Sequence, residues 1–159
     1  WGFLNLGILA IKSRTPTTFG RDNFRSAIKW MERARVARPD DMAIRKEIGN
    51  AHAWLADSYY LAGDKSSYLQ ARRNELSAKK FWLKSDPENN AAKYAVAKAK
   101  YAIAAVDDSP ASKVSRETLL FDAQETMDKL RKLDASNRDW NAMGKKIEKE
   151  LEKPGVRRD

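Results

Sequence analysis

Three turn-forming stretches recur at a fixed interval, and that interval constrains the fold more than any other feature of the chain. "ARPDDMAI", "SDPENNAA" and "LDASNRDW" are centred on Pro39, Pro87 and Ala135, each 48 residues from the next. Evenly spaced punctuation is the mark of a repeat array, in which each unit buries its apolar face on its neighbour. The residues upstream agree. Ala27, Met31, Ala34 and Pro39 fall at steps of four, three and five, and Ala123, Met127, Leu130 and Ala135 repeat that pattern.

The punctuation has a physical basis. Asp86 is placed to cap a helix, Pro87 suits the first helical position because its missing N–H would be unpaired there, and Glu88 complements the positive end of the helix dipole. A helix is therefore expected from about residue 87. A second break falls inside each period: Gly63 as a left-handed stop with Asp64 as the next cap, then "DDSPAS", where Ser109 or Ser112 can cap and Pro110 can open a helix. Apolar residues between the breaks keep helical spacing. Ile44, Ile48, Ala51, Leu55 and Tyr59 run through 41–62, Leu69, Leu76 and Leu83 through 64–85, and Leu119, Leu120, Ala123, Met127 and Leu130 through 111–133. No run of strand-type alternation competes. The helix after Pro87 presents a narrow face of Ala95, Ala99, Ala102 and Val106, small enough for close approach between helix backbones.

The expected fold is all-α: a single domain over 1–159, built as a stack of antiparallel helix pairs in units of about 1–38, 39–86 and 87–134. A capping helix over 137–152 closes it, with Trp140, Met143, Ile147 and Leu151 on one stripe and Lys145, Lys146 and Lys149 on the other face.

Residues at key positions resemble the tetratricopeptide repeat (TPR) family. "NLGILA" supplies Leu6, Gly7 and Ala10 of a first helix. "WLADSYYLAGD" supplies Leu55, Ala56, Tyr59 and the turn glycine Gly63, and Ala27, Met31, Ala34 and Pro39 match the second helix. Two features depart from the family pattern. The period is 48 where the standard unit has about 34, and Glu75, Lys79 and Trp82 stand where small or apolar groups belong. Longer two-helix repeats of HEAT type are the alternative architecture. The resemblance implies a TPR-like α-solenoid, similar to bacterial regions fused behind signalling or membrane-anchored modules, acting as a non-catalytic protein–protein interaction or sensor segment. It also implies a concave groove. Carried over from Leu55 and Ala56, the groove positions are Asn50, Ala53, Asp57 and Tyr60, and one period later Lys98, Tyr101, Ala105 and Asp108.

Little in the chain points to catalysis. With no cysteine there is no thiolate nucleophile or cysteine-held metal. His52 is the sole histidine, and Asp57, five residues on, is out of phase with metal-pair spacing, so it reads as a polar helix position. The seven glycines form no phosphate-binding loop. Ser58, Ser66 and Ser67 have no histidine partner, while Glu148 and Glu152 sit among lysines as solvated ion pairs. The expectation is no enzyme, no cofactor and no metal site.

A net charge of +9 favours anionic partners, and a protein or acidic peptide in the groove is the first expectation. The alternative is a basic surface on one long helix, where Arg72, Arg73, Lys79, Lys80 and Lys84 surround Trp82 and could dock nucleic acid or an anionic membrane. The opening "WGFLNLGILAI" is too short to span a bilayer and lacks a secretory leader pattern, leaving the compartment open. Because the chain begins at Trp1, it is expected to be a piece of a longer polypeptide. Phe3, Leu4, Leu6, Ile8, Leu9 and Ile11 surround most of the first helix, which predicts a further helix packed over that end, or self-association through it.

Overall fold

The computed structural model describes residues 2–12, 17–107 and 113–153. Among them every regular element is an α-helix: α1 (Gly2–Lys12), α2 (Thr17–Ala37), α3 (Met42–Leu61), α4 (Lys65–Ser85), α5 (Asn90–Ala104), α6 (Lys113–Leu133) and α7 (Arg138–Leu151). The chain forms two compact units, Trp1–Trp82 and Leu83–Asp159, whose border lies close to the second recurring turn.

The three recurring turns share one construction. The amide of Asp41 donates to the Arg38 carbonyl at 3.2 Å, that of Asn89 to Asp86 at 3.2 Å, and that of Asn137 to Asp134 at 3.3 Å. Each turn then ends in an extended cap residue whose side chain accepts from the helix three residues on: Ile44 N at 3.2 Å, Ala92 N at 3.0 Å and Trp140 N at 3.1 Å. Asp41, Asn89 and Asn137 therefore keep the 48-residue period as cleanly as Pro39, Pro87 and Ala135 do.

This corrects the expected start of α5. Asp86 is not the cap and Pro87 is not helical; the helix begins at Asn90, capped by Asn89. Proline's fixed φ serves the second place of a β-turn as well as the first turn of a helix, and here the turn takes it. The Asp86 carboxylate instead accepts from the Asn89 side-chain amide at 2.8 Å.

The break inside the first unit follows expectation. Gly63 has φ of +73°, its amide bonds the Tyr60 carbonyl at 3.0 Å, and the Asp64 amide bonds Tyr59 at 3.0 Å, the paired closure of a Schellman stop. Asp64 then caps α4 through Ser67 N at 3.0 Å. Ser109, Pro110 and Ser112 lie outside the described residues.

In the first unit Phe24 of α2 is fully buried, and a Cβ on Gly7 of α1 would come within 2.6 Å of its ring, so glycine is what lets these two helices close. Ile48, Ala51, Leu55 and Tyr59 of α3 are buried as their spacing predicts, whereas Ile44 is half-exposed; Ala56 is buried beside them. The Tyr59 hydroxyl accepts from Arg25 at 2.6 Å. α3 and α4 run antiparallel: Asn50 meets Lys79 while Asp57 meets Arg72.

In the second unit Ala97 and Ala104 of α5 share a core with Leu120, Ala123, Met127 and Leu130 of α6 and Met143 and Ile147 of α7. The buried residues of α5 differ from the alanine row expected. Ala95, Ala102 and Val106 are half-exposed, whereas Ala92, Val96, Ala99 and Ile103 are buried. Val96 and Ile103 stand one heptad apart and carry more apolar area than alanine, so they set the helix rotation and Ala99 fits between them. Arg116 clamps the three helices, donating to the Ala104 carbonyl at 2.9 Å and to Glu150 at 2.6 Å. Burial alone would raise the Glu150 carboxyl, but hydrogen bonds from Lys153 and Arg116 outweigh it and hold the carboxyl below its ordinary range.

Two outcomes are expected in urea unfolding. Asn89→Ala should cost about 1 kcal/mol, as loss of a side-chain cap does, and Pro87→Ala clearly less. Arg116→Met should cost about 2 kcal/mol at neutral pH through loss of a charged hydrogen bond. Because Glu150 is depressed in the folded state, its contribution exists above the unfolded carboxyl pKa and is lost as pH falls through the folded value. The gap between parent and Arg116→Met should therefore narrow in acid.

Candidate functional site

The sequence placed a groove on α3 and α5, and the structure gives those positions varied surroundings. Asn50 and Asp57 are engaged within their own hairpin: Asn50 accepts from Lys79 and Asp57 from Arg72, both on α4. Tyr60 is 62% exposed, with its ring 5.6 Å from that of Tyr68. Lys98 is exposed, Ala53 and Ala105 are half-exposed, and Tyr101 packs against the core of the second unit. Asp108 lies outside the described residues.

Two of the α4 residues that depart from the family pattern, Glu75 and Lys79, form a polar ladder with Arg72. Arg72, Glu75 and Lys79 are each less than 10% exposed. Arg72 binds Glu75 at 2.7 Å as well as Asp57, and its guanidinium lies 5.2 Å from the Tyr68 ring. Burial opposes the Arg72 charge, yet Glu75 and Asp57 outweigh it and keep the guanidinium protonated. Spacing of three, four and seven residues puts Arg72, Glu75 and Lys79 on one face of α4, and that face turns inward. The basic surface expected on this helix is thereby divided: Arg73, Lys80 and Lys84 are exposed, Arg72 and Lys79 are buried, and Trp82 has the Lys46 ammonium 4.2 Å from its ring.

The open concave feature lies elsewhere in the first unit. α1, α2 and α3 enclose a groove of about 660 Å³ between the start of α1, the end of α2 and the start of α3. Its walls are Phe3, Leu4 and Leu6 from α1, Ala27, Trp30, Met31 and Ala34 from α2, and Ala43 and Ile44 from α3. Phe3 and Leu6 are 44% exposed and Trp30 56%. Arg38, Asp41 and Glu47 edge it; Asp41 is spent on the α3 cap and on Arg38 at 3.3 Å. The Arg33 guanidinium lies 4.7 Å from the Trp30 ring. The sequence signal for this groove was the surplus of apolar residues around α1; the contribution of Trp30 was not anticipated, because α2 was read only through its Ala27–Met31–Ala34 row.

Among the described residues no group of histidine, aspartate and glutamate side chains is placed to hold a metal ion, and no helix is long and apolar enough to cross a membrane. Compared with known families, curated proteins and solved structures, the chain matches no family model, no curated protein and no solved structure.

The ladder makes a sharp energetic prediction. Arg72→Met should destabilise the protein by about 3–5 kcal/mol, because Glu75 would be left buried without its guanidinium. Arg72→Met combined with Glu75→Leu should recover much of the loss. Chemical denaturation of the single and double variants measures both, and a single variant as stable as the parent would show that the ladder contributes nothing.

Proposed function

We propose that the chain is a non-catalytic, tetratricopeptide-like interaction module, and that the groove of its first unit receives an amphipathic helix of a partner protein with acidic residues flanking the apolar face. The observation that carries this reading is the apolar groove itself. Of the ten large hydrophobic residues exposed among the described residues, six lie on α1 and α2, and three of these, Phe3, Leu6 and Trp30, line it. Contiguous apolar surface of this kind is costly to leave in water and is the common ground of helix-in-groove recognition.

Charge supports the acidic character of the partner. Residues 1–82 carry 15 Lys and Arg against 8 Asp and Glu, a net charge of +7 out of the chain's +9. Arg33 and Arg38 stand at the groove, and Arg21, Arg25, Lys29 and Arg35 follow along α2. Such a field speeds encounter with acidic partners and sets orientation, while the buried aromatic contact supplies affinity. Membership in a longer signalling protein and a solenoid of helix pairs belong to the same reading and rest on the resemblance and on the 48-residue period.

A labelled amphipathic peptide with leucine on one face and glutamate on the other provides the test, by fluorescence anisotropy. Trp30→Ala should weaken binding tenfold or more, in the range of an aromatic hot spot of about 2 kcal/mol. Replacing the peptide's glutamates by lysine should weaken it further. Equal affinity for both peptides, or indifference to Trp30→Ala, would remove the support for this function.

A further inference from the structure

Three charged residues line the apolar groove of the first unit, and one of them lacks a counterion. Arg38 and Asp41 pair with each other at 3.3 Å. Glu47 has no such partner: among the described residues no cation is bonded to its carboxylate. The basic side chains nearest to it in sequence and across the groove are committed elsewhere. Arg33 lies 4.7 Å from the Trp30 ring, Arg45 donates to the Pro39 carbonyl and lies 4.0 Å from the Phe81 ring, and Lys46 lies 4.2 Å from the Trp82 ring.

Glu47 is half-buried. Steps of three and four residues put it on the same face of α3 as Ile44 and Ala43, and all three line the groove, so the glutamate belongs to an apolar wall rather than to the outer side of the helix. That placement constrains whatever fills the groove. A purely apolar helix face laid against α3 would strip water from the carboxylate and offer it nothing in exchange, which is unfavourable for any charge. A cationic side chain on the occupant removes that penalty, with its methylene stem along the apolar wall and its charged head at Glu47.

We propose, on the reading that the groove receives a partner helix, that Glu47 sets its specificity: the helix carries one lysine or arginine within its apolar face, and Glu47 receives it. Acidic residues of the partner meet the arginines along α2, while the single base meets α3. The two requirements act together. The unit carries a net charge of +7, so a base placed away from Glu47 is repelled, and the position of the one accepted base fixes the rotation of the helix in the groove.

Fluorescence anisotropy with the full chain tests this. In the leucine- and glutamate-faced peptide, each leucine is replaced in turn by lysine and, separately, by methionine, which has similar length and no charge. At one position lysine should be preferred over methionine by about fivefold, the range of a partly exposed ion pair. Glu47→Gln should abolish or reverse that preference, and Glu47→Lys should transfer it to glutamate at the same peptide position. Glu47→Asp keeps the charge but withdraws it by one methylene, and should give an intermediate preference if either other variant does not fold. A merely structural role for Glu47 would change the affinity for lysine and methionine peptides alike. Methionine preferred at every position, or a lysine preference that survives Glu47→Gln, would overturn the proposal while leaving the groove as a helix site, which the sensitivity of the parent peptide to Trp30→Ala reports separately. Failure of every peptide to bind would overturn both.

Discussion

The capped turn that recurs every 48 residues is the constraint from which the rest of the structure follows. Each copy closes one carbonyl-to-amide bond and then delivers an Asp or Asn side chain to the third amide of the next helix, at Asp41, Asn89 and Asn137. Turn and cap together satisfy backbone groups that would otherwise be orphaned at a helix start. Because the turns are far apart, the helices between them are long: α2, α4 and α6 have 21 residues and α3 has 20, roughly 30 Å each. Helices of that length must find partners along their whole span, and a short apolar motif cannot supply them all.

The polar ladder of α4 occupies that extra length. Arg72 and Lys79 reach across to Asp57 and Asn50, and Glu75 holds Arg72 from within α4. An ion pair removed from water gives back in Coulomb energy about what it loses in solvation, so the ladder is poor at adding stability. It is better at fixing register. Sliding α4 against α3 by one turn would separate both cross-helix contacts at once, taking Arg72 from Asp57 and Lys79 from Asn50.

Helix number, helix type and most boundaries were legible in the sequence, because capping residues, Gly63 and heptad-spaced apolar residues act locally. The α5 start was misplaced by three residues because Asp-Pro-Glu-Asn satisfies the rules for a cap and for a turn equally, and only the bond from Asn89 to the Asp86 carbonyl decides between them. Of the α5 face expected, Ala99 is buried but Ala95, Ala102 and Val106 are not, because alanine alone sets no preferred rotation; Val96 and Ile103 do. The groove positions were carried over from a family pattern that assumes small residues on the second helix. With Arg72 and Lys79 turned inward on that helix, Asn50 and Asp57 acquire partners inside the hairpin. Trp30 escaped notice for the opposite reason: a lone tryptophan on a charged helix gives no periodic signal, and its surroundings come from α1 and α3.

The first unit thus inverts the usual arrangement of a small helical domain. It buries Arg72, Glu75 and Lys79 between helices while leaving Phe3, Leu6 and Trp30 in contact with water. Both departures oppose stability, since buried charge loses hydration and exposed apolar area forgoes burial worth roughly 25 cal/mol per Å². The two costs differ in how they are relieved. The ladder is relieved within the hairpin, by ion pairs and hydrogen bonds that are already formed. The groove has no such internal remedy, because α1, α2 and α3 already contribute the side chains that line it and a volume of about 660 Å³ is left between them. An apolar surface laid into it would remove that cost, and the net charge of +7 on the same unit would favour one edged with acidic groups.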